Sequence, residues 1–268
     1  MPRTMRPLSQ MPAAVAARIH TVFSDIDDTL TTDGQLTAQA YAALAALRAA
    51  GLRVVLVTGR PAGWCDHIAR MWPVDAVIGE NGAFYFWYEA SARKLMSRHV
   101  FDAAVRAANA ARMAEVREAI LREVPGCALA SDQFCRLYDV AIDFCEDVPP
   151  LPASAVQRVV DLMERAGMTA KVSSIHVNGW FGQYDKLSMA HLLMRERYGI
   201  ELEAERERCV FVGDSPNDAP MFAYLPNAVG VANVARFELP PGQAPAYVTP
   251  SAAGAGFAEV TRFLIQAR

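Results

Sequence analysis

Thr21-Val22-Phe23-Ser24-Asp25-Ile26-Asp27-Asp28-Thr29-Leu30 decides the reading of the fold, because a short apolar strand runs straight into a cluster of acids. A polar turn with Asp33-Gly34 follows, then a helical stripe of Leu36, Ala40, Leu44 and Leu47 that Gly51 stops. The run Leu52 to Val57 comes next and ends in Thr58-Gly59-Arg60-Pro61. Strand, helix, strand in this order is a βαβ unit, which builds parallel sheet through right-handed crossovers. Pro61 suits the first turn of a helix carrying Trp64, Ile68 and Met71. A third strand, Val74 to Ile78, ends in Gly79-Glu80-Asn81-Gly82.

Beyond residue 84 the rhythm changes. Aromatic strand residues Phe84 to Tyr88, a long helix Ala103 to Val124 and strands Cys127 to Ala130 and Val140 to Phe144 lead to Pro149-Pro150-Leu151-Pro152. A helix Ala153 to Ala166 and strands Ala170 to Val177 and Trp180 to Tyr184 follow. Adjacent strands without alternating helices mark an α+β insert. The alternation resumes with a helix from Leu187, a strand Cys209 to Val212 into Gly213-Asp214-Ser215-Pro216-Asn217-Asp218, strands Ala228 to Val231 and Ala246 to Val248, and a terminal helix from Phe257. The expected fold is α/β: a Rossmann-like three-layer core with a parallel sheet over residues 19–82 and 185–268, and an inserted α+β cap over 83–184. Residues 1–18 are expected to form a loose N-terminal tail.

The 268 residues carry a net charge of −3 and no Lys/Arg block, which excludes a basic nucleic-acid surface. The five cysteines are widely spaced without a Cys-x-x-Cys pair, so neither a zinc cage nor a complete disulfide framework is expected. The N-terminal Ala/Val run is too short for a secretory signal, and no segment approaches a membrane span. Cytoplasmic location is the expectation, with no membrane or nucleic-acid partner.

In open parallel sheets, ligands bind beyond the carboxyl ends of the strands. Asp25 and Asp27, Thr58, and Asp214 each stand at such an end. Converging carboxylates repel one another unless a cation intervenes, and an all-oxygen donor set suits Mg²⁺. Acids alone would also repel a phosphate, so a lysine would help, and Lys186 opens the helix after the insert.

This set resembles the haloacid dehalogenase superfamily in its phosphatase branch. The motifs stand in order: Asp25-Ile26-Asp27-Asp28-Thr29 after a strand, Thr58-Gly59-Arg60, Lys186, and Gly213-Asp214-Ser215-Pro216-Asn217-Asp218. The first three alone are weak, since solvated turns, strand exits and surface lysines produce the same patterns; the fourth is sharper, although it could merely cap the helix that begins near Ala219. Their ordered conjunction at strand ends carries the resemblance. The position of the insert, between the third strand and Lys186, is similar to the cap of the Cof-type sugar phosphatases, sucrose-phosphate phosphatases and mannosyl-3-phosphoglycerate phosphatases of subclass IIB.

The resemblance implies a Mg²⁺-dependent phosphomonoester hydrolase acting on a small phosphorylated metabolite, with a sugar phosphate expected. Asp25 is then the nucleophile, Asp27 the general acid and base, and Lys186 the charge that neutralises phosphate and nucleophile. The metal falls to Asp25, the Asp27 carbonyl and Asp214, with Asp218 either a direct ligand or one acting through water. Thr58, Gly59 and Asn217 would hold the phosphoryl group. Glu80, Asn81, Arg136, His176 and Asn178 are the candidate contacts to the leaving group, although a histidine in a strand is ordinarily structural. A phosphomutase or phosphotransferase on the same scaffold, or a non-catalytic sugar-phosphate binder, is the alternative.

Overall fold

The computed structural model describes residues 5–173 and 175–268. Along the chain the strands are β1 (Arg6–Pro7), β2 (Thr21–Ser24), β3 (Arg53–Val57), β4 (Ala76–Gly79), β5 (Phe84–Glu89), β6 (Lys94–His99), β7 (Ala128–Leu129), β8 (Asp139–Asp143), β9 (Thr169–Val172), β10 (His176–Trp180), β11 (Cys209–Gly213), β12 (Val229–Gly230) and β13 (Tyr247–Val248). Among the described residues, nine of them form one sheet in the order β1-β13-β12-β11-β2-β3-β4-β5-β6. Pairing is parallel from β1 through β4. Strand order reverses around β2, which lies between β11 and β3, so Asp25 leaves the sheet at its topological switch point.

β2, β4 and β11 are buried along their whole length, as strands covered on both faces must be. Alternation splits their side chains between two cores. Val22, Val54 and Leu56 pack with Leu44, Leu47, Phe257 and Leu264 on one face. Phe23, Val55 and Val57 pack with Met189, Leu193 and Phe222 on the other. Helices on both faces of a mostly parallel sheet give the expected three layers. A second sheet, β7-β8-β10-β9, is antiparallel. Helices Ala103–Glu123 and Ala153–Arg165 close a separate core over it, with Ile120, Val159, Met163 and Val177 inside.

Five local expectations are corrected. The aromatic run after Gly82 is the hairpin β5–β6, which pairs antiparallel with β4 and so extends the core sheet rather than the insert's sheet. Phe84 and Phe86 are buried in the core, and that burial fixes the pairing. The N-terminal segment is not loose from residue 5 on: β1 pairs with β13, and Leu8 and Met11 are buried. Residues 1–4 of the expected tail lie outside the described residues. The strand expected over 170–177 stops at Val172, because Ser173 accepts the amides of Ile175 and His176 on its hydroxyl and turns the chain; Ser174 lies outside the described residues. β10 accordingly begins at His176, earlier than expected. The terminal helix also begins earlier, at Ala253.

The stretch that comprises the hairpin and the insert begins and ends at one place. Gly82 has φ +107, and a Cβ there would lie 2.1 Å from the carbonyl oxygen of Asp185. Asp185 caps the helix Lys186–Tyr198 through a reciprocal capping box with Ser188, so the glycine lets that helix start against the end of β4. Gly82→Ala combines a left-handed backbone with a backbone clash, and is expected to destabilise the protein by about 2–4 kcal/mol. Urea denaturation followed by circular dichroism measures this, and a loss within experimental error would refute the close approach.

Candidate active site

Asp25 follows the last residue of β2, and its amide donates to the Val212 carbonyl at 2.9 Å, which continues the pairing with β11 one step beyond the strand. That bond sets Asp25 beside the end of β11, where Asp214 emerges. Both side chains are almost completely buried. Lys186 Nζ, also buried, donates to Asp25 Oδ1 at 2.8 Å and to Asp218 Oδ1 at 2.7 Å. Asp218 turns back toward its own strand, and its Oδ2 accepts the amides of Asp214 and Ser215. A Cβ on Gly213 would meet that oxygen at 2.4 Å, so the glycine before Asp214 makes room for the returning carboxylate.

Carboxylate oxygens of Asp25, Asp214 and Asp218 lie within 4.8 Å of one another. Burial raises the Asp25 carboxyl well above its ordinary range; Lys186 opposes this, and the neighbouring acids Asp218, Asp27 and Asp214 add to it. Asp214 is pushed up to about 7, by burial first and Asp218 second. Lys186 is raised as well: burial works against its charge, but Asp218 and Asp25 outweigh the burial. The donor set fits a hard divalent cation. Asp214 is oriented for it by Thr29, whose hydroxyl donates to Oδ1 at 3.1 Å, and by Asn233, whose amide donates to Oδ2 at 2.9 Å. Asp218 has its oxygens occupied by Lys186 and two amides, so it orients Lys186 and the Asp214 turn.

Of the other expected residues, Asp27, Gly59, Asn81, Arg136, His176, Asn178 and Asn217 line a cavity of about 500 Å³ between core and cap, and Thr58 and Glu80 lie behind its wall. Thr58 is fully buried, and its Oγ1 accepts the Arg60 amide at 3.0 Å, which leaves its hydroxyl proton to give. Gly59 lies against the side chain of Asn81, which borders the cavity. Asn217 accepts the Ser215 hydroxyl on Oδ1 at 2.6 Å, so its NH₂ group is left as a donor. Asp27 is held by Arg60, with Nε at 2.9 Å and Nη2 at 2.7 Å from the same oxygen, Oδ1.

His176 and Asn178 line the cavity from β10, and Arg136 from the loop before β8. The Arg136 guanidinium is fully engaged, however: it pairs with Asp132 and Asp139 and donates to the Gly59 carbonyl at 3.2 Å. Glu80, expected among the substrate contacts, is instead fully buried away from the cavity wall. Its carboxylate accepts the amides of Ala62 in the core and of Leu137 and Tyr138 in the insert. Burial, with Asp139 adding to it, raises Glu80 to about 8. Glu80 and Arg136 thus join insert to core.

Arg60, Asn233 and Glu146 were not expected. Arg60 stood in plain view beside Thr58, and a basic residue near paired acids was the available signal. Asn233 follows Val231-Ala232 without any motif, and nothing in the sequence points to it.

An acid whose carboxyl is raised on folding stabilises the fold below its unfolded pKa and loses that contribution as pH climbs to the folded value. In chelator, the melting temperature is therefore expected to fall from about pH 4 toward about pH 7, the window set by Asp214. Added Mg²⁺ should raise it more near the top of that window than near the bottom. Scanning fluorimetry at both ends, with and without the ion, tests this; a metal shift independent of pH would contradict it.

Residues 22–112 match the family model of the haloacid dehalogenase-like hydrolases. No curated protein matches the sequence. A Thermoplasma acidophilum protein superposes with a TM-score of 0.70 at 18% identity, over 93% of this chain and 99% of its own. The sucrose-phosphatase of Synechocystis sp., solved with sucrose and phosphate, gives 0.61 at 16% identity over 91% and 97%. A sugar phosphatase of haloacid dehalogenase subclass IIB gives 0.56 at 16% identity over 86% and 93%. The matched segment contains Asp25, Asp27 and Thr58, and the solved structures share the fold of core and insert together.

Proposed function

We propose that this chain, a haloacid dehalogenase-like hydrolase, is a Mg²⁺-dependent phosphatase that hydrolyses a small sugar phosphate through a phospho-aspartate on Asp25. The observation that carries the reading is Asp25 itself: a buried carboxylate at the switch point, bonded to Lys186 through Oδ1 and open to the cavity. The likeness to a sucrose-phosphatase and a sugar phosphatase supports the substrate class.

Phosphate monoesters are among the slowest esters to hydrolyse, so catalysis must come from positioning and charge neutralisation. Lys186 and the amides at Gly59 and Asn217 hold the phosphoryl oxygens, and the Thr58 hydroxyl donates to them. An Asp25 carboxylate oxygen attacks phosphorus in line, the P–O bond to the sugar breaks, and Asp27 gives its proton to the departing oxygen. Asp27 then takes a proton from water as the water oxygen attacks phosphorus, which releases phosphate and restores Asp25. Arg60 bonds only Oδ1 of Asp27, so Oδ2 is left to carry the proton. Asp25, the Asp27 carbonyl and Asp214 would hold Mg²⁺, which supplies Lewis-acid neutralisation of the phosphoryl charge. The site chemistry is compatible with a cytoplasmic metabolite enzyme, and no helix among the described residues is long and apolar enough to cross a membrane.

Asp25→Asn preserves volume and should abolish phosphate release and covalent labelling from a phosphorylated substrate. Turnover that survives the change, or a label on another residue, would refute the assignment.

Asp27→Asn separates the two steps. A sugar alkoxide needs a proton to leave, so its hydrolysis should fall by roughly 10² to 10⁴. An activated aryl oxide leaves unaided, so phospho-Asp25 should accumulate and give a burst of aryl oxide before a slow steady state. Equal slowing of both substrates without a burst would mean that Asp27 is not the acid.

A further inference from the structure

The cap wall of the cavity contains a polar pair that the catalytic cycle does not use. His176 begins β10 and is almost completely buried, its side chain 4% exposed. Its Nε2 lies 2.9 Å from Glu146 Oε2, yet off the direction of a hydrogen bond, so this buried nitrogen is without a directed partner among the described residues. Both residues border the cavity. Glu146 is held from behind, because Asp143 accepts the amides of Cys145 and Glu146 on Oδ1 and of Asp147 on Oδ2. The turn that presents the carboxylate is therefore fixed before any ligand arrives.

The cations around the same cavity are already committed. Arg60 is paired with Asp27, and Arg136 with Asp132 and Asp139. Lys186 is shared between Asp25 and Asp218. Lys171, at the exposed edge of the wall, is the exception among the basic residues that border it. A second anionic group on the leaving side of the substrate would thus meet Glu146 without a buried counter-charge. Hydroxyl groups would meet an acceptor in Glu146, backed by the buried His176 ring 2.9 Å from it, and the Asn178 carbonyl, whose NH₂ group is spent on Asp139 at 2.9 Å.

We propose that Glu146 and His176 form a hydroxyl-recognition subsite in the cap, through which the enzyme selects phosphate esters of neutral polyols against esters whose leaving group bears a carboxylate. The proposal rests on the phosphatase reading above and assigns its specificity. Glu146 accepts from one or two hydroxyls of the polyol, and His176, buried beside it on β10, sets the position of that carboxylate. A site built to bond hydroxyls discriminates strongly, because the wrong leaving group strands its polar atoms.

The test compares glucose 6-phosphate, 3-phosphoglycerate and para-nitrophenyl phosphate by phosphate release. The wild type should favour the hexose phosphate over phosphoglycerate. Glu146→Gln should lower the ratio of kcat/KM for hexose phosphate over aryl phosphate by roughly ten- to a hundred-fold, and Glu146→Lys should move preference toward phosphoglycerate. An unchanged ratio in Glu146→Gln, or equal loss on every substrate, would overturn the subsite while leaving the phosphatase reading intact. Failure of the wild type on all three substrates would strike that reading instead. Calorimetric binding of glucose 6-phosphate to Asp25→Asn protein, with and without Glu146→Gln, reports on the subsite without turnover. Equal affinities there would overturn the proposal.

Discussion

Lys186 is the charge on which the site depends. Its ammonium is buried and bonded to Asp25 and Asp218, and Asp214 stands within reach of both acids. Three buried carboxylates then share one ammonium, while Asp27 is answered separately by Arg60. The excess is two negative charges when all three are ionised, which is the charge of one divalent cation. Taking ions out of water costs several kcal/mol each unless they are paired, so the arrangement without a cation relaxes by holding protons. Asp25 and Asp214 are the groups whose carboxyls are raised accordingly. The same charge deficit is what a hard divalent cation would neutralise.

The position of Lys186 is set by the junction of the two domains. Gly82 ends the outward path and Asp185 the return, and their backbones touch. Close by, Glu80 gathers one amide from the core and two from the insert, and Arg136 of the insert donates to the carbonyl of Gly59. The cap is thereby bonded to the loop that carries Thr58 and Gly59, and a buried carboxylate without those amides would be left unsatisfied, at about 1–3 kcal/mol or more. Insert and core are thus held together by one set of hydrogen bonds around Glu80 and Arg136.

The core motifs were legible because a fully buried parallel strand is a continuous apolar run, and a reactive residue just past its end is conspicuous. Asp25, Thr58 and Asp214 all follow that pattern. The hairpin β5–β6 was not legible: Phe84 to Tyr88 is apolar enough to pair with either sheet, and only burial against the core decides. Leu8 and Met11 are isolated apolar residues without periodicity, so their docking left no pattern. Arg136 gave a signal that could have been read, since Asp132 and Asp139 at four and three residues' distance are natural partners for it. Glu146 could not be found, because its approach to His176 is made across two strands and a turn.

Trp64 shows how an exposed aromatic residue becomes intelligible at the site. With Ile68 and Met71 it suggests an apolar stripe, but only Ile68 is buried, and Trp64 is 45% exposed. The Arg60 guanidinium lies 4.5 Å above the Trp64 ring while bonding Asp27. An arginine on a long flexible stem loses rotamer freedom when it is held in one place, and stacking on an aromatic face offsets part of that cost by about 0.5–1 kcal/mol at an exposed site. The indole therefore stays at the surface to stiffen Arg60, and through Arg60 it fixes which oxygen of Asp27 is engaged. A carboxylate held through one oxygen in this way loses its freedom to rotate. Asp27 owes that restraint to a residue whose exposure would otherwise have no structural reason.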